Sequence, residues 1–295
     1  MNLVRQMRNP VLLNELKVRM RSNRSALIIS LYLLVLGGIA FAFIYLRTGW
    51  NQRFDPNGTR DIFLFLSVLQ LAMICMFTPG LTSGVISGER ERQTLSVLLT
   101  TNLTATKLII GKWLSSLSFM TYLVLASLPL YAVVVLFGGV SPLQLIEVFA
   151  LYLITMLGIG SVGVLSSTIF KRTGVSTVVT YALLFAYTAG TFMAAEFIRM
   201  VIERQRSLAG ITAAAQPFPM WPDLLMSLNP LAAILRVFEV GPLPQTVSRT
   251  PAGNVVPLPM DPYWIYFAFF AVLAAVAIIL AIYLIKPVRP RLGRR

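Results

Sequence analysis

The sequence predicts an all-α membrane protein, a single bundle of six transmembrane helices. Six apolar runs exceed the roughly 18 residues that mark a span. Hydrophobic residues make up 57% of the chain and charged residues only 12%, against about a quarter charged in soluble domains. The charges also collect between the runs, where water reaches them, because hydrocarbon makes them costly.

The elements follow in order. Asn9-Pro10 opens the first, with Asn suited to the cap and Pro to the first helical position. Leu12, Leu13, Leu16 and Met20 then recur at helical spacing among Glu15, Lys17, Arg19, Arg21 and Arg24. Residues 1–24 therefore read as a basic amphipathic helix of the headgroup region, or as a charged flank that only sets orientation. Span one covers 25–46, and Asp55-Pro56-Asn57-Gly58 marks a turn after it. Span two covers 62–87, with Pro79 as a kink and Gly80, Gly84 and Gly88 on one face as a packing seam. Span three covers 106–137, kinked at Pro129, and span four covers 143–170.

Within span four, Gly158, Gly160 and Gly163 spell the dinucleotide pattern GxGxxG. That pattern needs a preceding strand, and here it lies inside an apolar helix, so close helix packing is the better account. Span five covers 175–200, and Glu196, Arg199 and Glu203 at its far end are spaced for ion pairs. The segment 204–262 is long and proline-rich. It contains an apolar stretch, 228–240, too short to span and of the length usual for re-entrant or interfacial pieces. Span six covers 263–285, anchored by Tyr263, Trp264 and Tyr266, and a basic tail, 286–295, follows.

The net charge of +14 would suit nucleic acid if it formed one stripe, but it follows the membrane instead. Basic residues crowd the two ends of the chain and the loops around Arg90 and Lys171, while the other loops balance theirs with acids. The positive-inside rule places both termini and Glu89–Arg92 in the cytoplasm and leaves no reason to expect nucleic acid. The single cysteine, Cys75, cannot form an intrachain disulfide and reads as a small core residue. With no histidine, His-based triads, His-ligated zinc and axial-His haem are excluded. Gly111-Lys112-Trp113 is the nearest fragment to a Walker A loop and lacks its hydroxyl residue. No catalytic, cofactor or metal-binding residues are expected. The spans carry almost no ionisable groups, so a transporter of this kind needs an outside source of energy.

One stretch stands out. Glu89-Arg90-Glu91-Arg92 sits between two spans, and Leu95, Leu98 and Leu99 follow at helical spacing. Glu89 and Glu91 are expected at the start of a short amphipathic helix, where negative charge suits the dipole. Glu89, Glu91, Thr94, Leu95, Leu98, Leu99, Thr101, Gly111 and Lys112 match in order and spacing a signature of the ABC-2 permeases. Gln93, Ser96 and Asn102 depart from the family's usual Gly, Glu and Pro. The chain resembles that family, and the resemblance implies a type V exporter-like bundle.

The resemblance further implies that 88–105 is a coupling segment that docks on a separate ATPase through Glu89, Arg90, Glu91, Arg92, Thr94, Leu95, Leu98 and Leu99. It implies an N-terminal elbow helix carrying Leu12, Leu13, Leu16 and Arg19. Asn229, Pro230 and Arg236 match a stretch that family members carry before the last span, on the side away from the ATPase. The implied protein is the permease subunit of an ABC exporter in the plasma membrane, paired with a second permease copy or a paralogue. It would have no enzymatic activity of its own, with ATP and Mg held by the ATPase partner. A non-transporting scaffold or sensory subunit of the same architecture is the alternative.

Overall fold

The computed structural model describes residues 23–48, 56–95, 104–136, 139–209, 221–238, 247–249, 255–257 and 261–285. The elbow helix with Leu12, Leu13, Leu16 and Arg19, the residues Leu98 and Leu99, the basic tail and much of 204–262 lie outside these.

Ten helices follow in chain order among the described residues: α1 (Asn23–Thr48), α2 (Pro56–Thr82), α3 (Ser87–Glu91), α4 (Ala105–Ala126), α5 (Leu128–Leu136), α6 (Pro142–Ile169), α7 (Thr173–Leu208), α8 (Trp221–Ser227), α9 (Pro230–Val237) and α10 (Pro262–Ile285). Two short strands, β1 (Val247–Arg249) and β2 (Val255–Pro257), pair antiparallel with Val247 opposite Pro257. They depart from the expected all-helical chain, in a stretch where β-branched valines favour extended backbone.

Of the six expected spans, five are helices long and apolar enough to cross a membrane: Gly58–Glu91, Ala105–Leu136, Pro142–Ile169, Thr173–Leu208 and Pro262–Ile285. The remaining one, α1, runs 26 residues, but its apolar portion among the described residues is the shorter Ile29–Phe43. The break expected at Pro129 appears as the interruption at Ser127 between α4 and α5. Proline lacks the N–H that would continue the ladder, and Ser127 Oγ turns back onto the Val124 carbonyl at 2.7 Å.

α6 is the central element: two thirds of its span is buried (67%), against 11% for α7. It packs against α2, α4, α7, α9 and α10, and its glycines explain how so many helices reach it. A Cβ at Gly158 would run into the Phe270 ring of α10, one at Gly160 would lie 2.7 Å from Leu117 of α4, and one at Gly163 would strike Thr82 of α2. Each glycine admits a different neighbour. Gly80 on α2 and Gly84 in the turn after it do the same for α7, where a Cβ would lie 3.3 Å from the Tyr181 hydroxyl and 3.0 Å from Thr173.

The apolar core gathers Phe63, Leu66, Tyr131, Tyr152, Tyr266 and Phe270 around α6. Tyr131 donates to the Leu66 carbonyl at 3.0 Å and Tyr152 to the Ser67 carbonyl at 2.9 Å, while the Tyr266 hydroxyl meets Thr155 Oγ1 at 2.7 Å. A second cluster of Ile86, Leu108, Ile109, Val164, Ile278, Ala281 and Ile285 closes the bundle at the α3 end.

The apolar stretch around residue 230 is the buried helix α9. Asn229 accepts from the Leu231 N–H at 3.0 Å as its cap, with Pro230 in the first turn. Asn229 also donates to the Thr188 carbonyl at 2.7 Å and to Thr191 Oγ1 at 2.9 Å, which ties α9 to α7. At the other end, Arg60 donates to the Phe238 carbonyl and Gln144 to the Val237 carbonyl at 3.4 Å. Long-range donors thus meet the carbonyls that end a helix.

Because Gly163 meets Thr82 with no room to spare, Gly163→Ala is expected to lower the melting temperature of the purified protein. Overpacking of this kind costs about 1–3 kcal/mol. Gly190→Ala, in a place with nothing within 4 Å, should leave it unchanged or raise it.

Candidate functional site

The charged stretch lies where α2 ends and the chain must turn back toward α4. Taken together, Gly58–Glu91 is 34 residues, about 51 Å at 1.5 Å per residue, while a bilayer core is about 30 Å thick. The end with Glu89, Arg90, Glu91 and Arg92 is the one that hydrocarbon would make costly.

The helix does not run smoothly to that end. A turn at 83–86 separates α2 from α3 and leaves the Ile86 and Ser87 N–H groups to find acceptors elsewhere. Ser167 Oγ, one turn from the end of α6, accepts both, at 2.8 and 2.9 Å. Ser87 Oγ donates to the Ser83 carbonyl at 3.2 Å and lies 3.2 Å from Ser167 Oγ. Ser83 Oγ meets Thr177 Oγ1 of α7 at 2.8 Å. Small hydroxyls thus weld α3 to α6 and α7 within a buried joint.

α3 stops at a left-handed residue. Gln93 has φ 58, the one non-glycine residue with positive φ among the described residues. The Thr94 N–H bonds the Glu89 carbonyl at 2.9 Å and the Gln93 N–H bonds the Arg90 carbonyl at 3.0 Å. These are the two bonds of a Schellman stop, in which glycine usually takes the left-handed place. Gln93, which stands where the signature has glycine, takes the left-handed conformation that glycine favours.

This stop corrects one expectation. Glu89 falls in the first turn of the five-residue α3 and Glu91 at its end, and the stop separates both from Leu95, so neither starts a helix that carries Leu95. Both carboxylates find partners within the chain. Glu89 Oε1 lies 2.8 Å from the Lys112 ammonium of α4, a buried lysine, and the Thr94 hydroxyl donates to the same carboxylate. Burial pushes the Glu89 carboxyl up, but Lys112 and Thr94 outweigh it and hold it below the ordinary range.

Glu91 accepts from the Thr173 N–H at 2.8 Å and from the Thr173 hydroxyl at 2.8 Å. It therefore caps the first turn of α7, and those two donors hold its carboxyl below the ordinary value of 4.5. Arg90 donates to the Phe170 carbonyl at 3.4 Å. Leu95 packs on the apolar cluster around Ile86 and Leu108. Arg92 and Thr94 are exposed. At the return, Thr104 caps α4 by accepting from the Lys107 N–H at 3.3 Å. Both roots of the segment 92–104 are thereby pinned.

Asn229, Pro230 and Arg236 sit at the opposite end of the bundle. Arg236 lies 3.4 Å from Asp261, which in turn caps α10 by accepting from the Tyr263 N–H at 3.0 Å. At that end Arg199 pairs with Glu196 at 3.0 Å, as its spacing predicts, and with Asp223 of α8 at 2.9 Å. The expected third member, Glu203, is exposed. Sequence reasoning missed Ser167 and Thr173, because a lone hydroxyl in an apolar helix carries no periodic signal. A clue existed in the Ser83 and Ser87 pair, four residues apart on the face of Gly80 and Gly84. Among the described residues no cluster of His, Cys, Asp or Glu could hold a metal ion.

Ser167→Ala keeps the shape of the joint but orphans two buried N–H groups. It should destabilise the protein by about 1–3 kcal/mol, read as a fall in melting temperature. Gln93→Val should also lower it, since a β-branched residue resists positive φ, whereas Gln93→Gly should not. The Glu91 cap has a pH signature. A depressed folded pKa gives stability above 4.5 that fades as the pH falls through the folded value, and Glu91→Gln should remove that part of the acid sensitivity.

No curated protein matches the sequence. The family model described as ABC-2 family transporter protein matches residues 10–287, nearly the whole chain, and takes in both the pinned charged turn and the α9 wedge. The bundle of membrane-length helices fits that assignment, and the chain belongs to the ABC-2 family of transporter permeases.

Proposed function

We propose that this chain is the membrane subunit of an ATP-driven exporter and that the segment 92–104 docks on a separate ATPase. The observation that carries the reading is the double pinning of that segment. Glu89–Lys112 ties its roots to α4, and Glu91–Thr173 ties its start to α7. A push on the segment would reach both helices directly, and α7 is the least buried of the five membrane-length helices described.

In this reading Glu89, Arg90 and Glu91 transmit force within the permease, while Arg92, Thr94 and the leucines Leu98 and Leu99 face the partner, with Leu95 anchoring the root. The elbow helix, with Leu12, Leu13, Leu16 and Arg19, lies along the same membrane face and borders the docking surface. The asymmetric basic charge supports six spans with both termini in the cytoplasm of a plasma-membrane protein. The α9 segment with Asn229, Pro230 and Arg236 would then be re-entrant from the outside. Two permease copies and two ATPase subunits complete the transporter, and ATP with its magnesium resides in the ATPase.

Two measurements test this. With Cys75 replaced by serine, a cysteine at Asn57 or Gly253 should label from outside intact cells and one at Gly293 should not. Labelling at Gly293 alone would overturn the orientation. Second, Leu98→Asp and Arg92→Glu should leave the permease inserted but strip the ATPase that co-purifies with the natural chain, while Gln245→Lys changes nothing. Buried interface charges and anchors are worth about 2–5 kcal/mol when truncated, so the loss should exceed tenfold. Retention of the ATPase with unchanged activity in both variants would move the docking surface elsewhere.

A further inference from the structure

At the end of the bundle opposite α3, a cavity of about 500 Å³ opens between the first turns of α6, the end of α9 and the first turns of α10. Its volume lies within the range of small-molecule sites, roughly 300–1,000 Å³. Its charge distinguishes it from the apolar grooves on either side of α7. It holds three charged side chains, Glu147, Arg236 and Asp261, beside three aromatic rings, Tyr263, Trp264 and Phe267.

The charges do not cancel. Arg236 pairs with Asp261 at 3.4 Å, with only a tenth of the Arg236 side chain exposed. With two carboxylates to one guanidinium, the described lining carries one surplus negative charge. Tyr263 Oη donates to the backbone carbonyl of Glu147 at 3.1 Å. That same bond fixes the Tyr263 ring against α6.

The rings form a corner. Tyr263 and Trp264 stand nearly perpendicular, 88° at 5.4 Å, and Phe267 lies 4.9 Å from Tyr263 and 5.9 Å from Trp264. Trp264 remains 61% exposed. An interfacial aromatic anchor explains rings on this helix end, but not their convergence with a surplus carboxylate in one concavity. Electron-rich ring faces and one net negative charge attract the same partner, a cation within about 6 Å of a ring. An anion would meet the surplus carboxylate, and the described residues offer no cluster that could hold a metal.

The geometry points to a binding site for a monovalent organic cation with an apolar body, an alkylated ammonium or phosphonium. Glu147 neutralises its charge, and Trp264 and Tyr263 cover it. The inference goes beyond the docking reading and does not depend on it, since the two sites occupy opposite ends of the bundle. The ammonium could belong to a free amphiphile or to a choline-headed lipid.

The test uses the full-length chain in lipid nanodiscs and tetraphenylphosphonium as probe, with protein-free discs subtracted. Saturable binding of one probe per chain is expected, weakened at least tenfold in Glu147→Gln and in Trp264→Ala. Trp264→Phe, which keeps a ring face, should retain most of it, and Glu203→Gln should bind like the natural chain. Tetraphenylborate, the same shape with opposite charge, should not compete. Discs of phosphatidylglycerol and of phosphatidylcholine separate the two sources. Weaker probe binding in phosphatidylcholine assigns the site to the lipid headgroup, and equal binding assigns it to free cations. The proposal is overturned if no saturable binding exceeds that of empty discs, if all variants bind alike, or if tetraphenylborate competes equally. ATPase co-purification should be untouched by Glu147→Gln, which keeps this outcome separate from that of the docking experiment.

Discussion

Helices in lipid lack the hydrophobic force that joins them in water, so this bundle depends on how near other helices can come to the bare backbone of α6. Gly158, Gly160 and Gly163 remove side chains at the points where Phe270, Leu117 and Thr82 arrive. Close approach multiplies dispersion contacts that are small one by one. It also brings α2 near enough for Ser167 to reach the Ile86 and Ser87 N–H groups. The glycines and the polar joint are therefore one arrangement.

The two ends of the bundle solve the same problem differently. Every helix end leaves backbone groups without partners, and a membrane interface supplies water only on one side. At the α3 end Ser167 of α6 serves α3 and Glu91 of α3 serves α7, while Thr104 is a local cap for α4. At the other end Asn229 and Asp261 are caps, with Arg60 and Gln144 on the carbonyls that end α9. The long-range contacts among these make the short elements part of the bundle. They also mean that a charge in a recognisable motif can serve the fold, as Glu91 does by capping α7.

α7 joins the two ends. It is 36 residues long and little buried, yet it is held at its start by Glu91, near its far end by Asp223 through Arg199, and by Asn229 between them. Polar contacts at three levels thus fasten a helix that buries little of itself.

Much of this was legible in the residues themselves. Apolar run length gave five membrane-length helices near their expected bounds, because burying backbone polar groups in lipid leaves the helix as the only local solution. The glycines of α6 and α2 were readable as packing residues, and Asn229-Pro230 as a helix start. The spacing of Glu196 and Arg199 gave their ion pair. The sequence by itself also determined that the chain belongs with the ABC-2 permeases. What only the tertiary structure decided is where each polar group finds its partner. Lys112 meets Glu89 across 23 residues, and Ser167 meets Ile86 across 81. Arg236 shares a cavity with Glu147, 89 positions before it in the chain. Local propensity governs whether a helix forms, but the partner of a charge or hydroxyl depends on which helices pack side by side. Packing is a property of the assembled bundle, and no single span carries it.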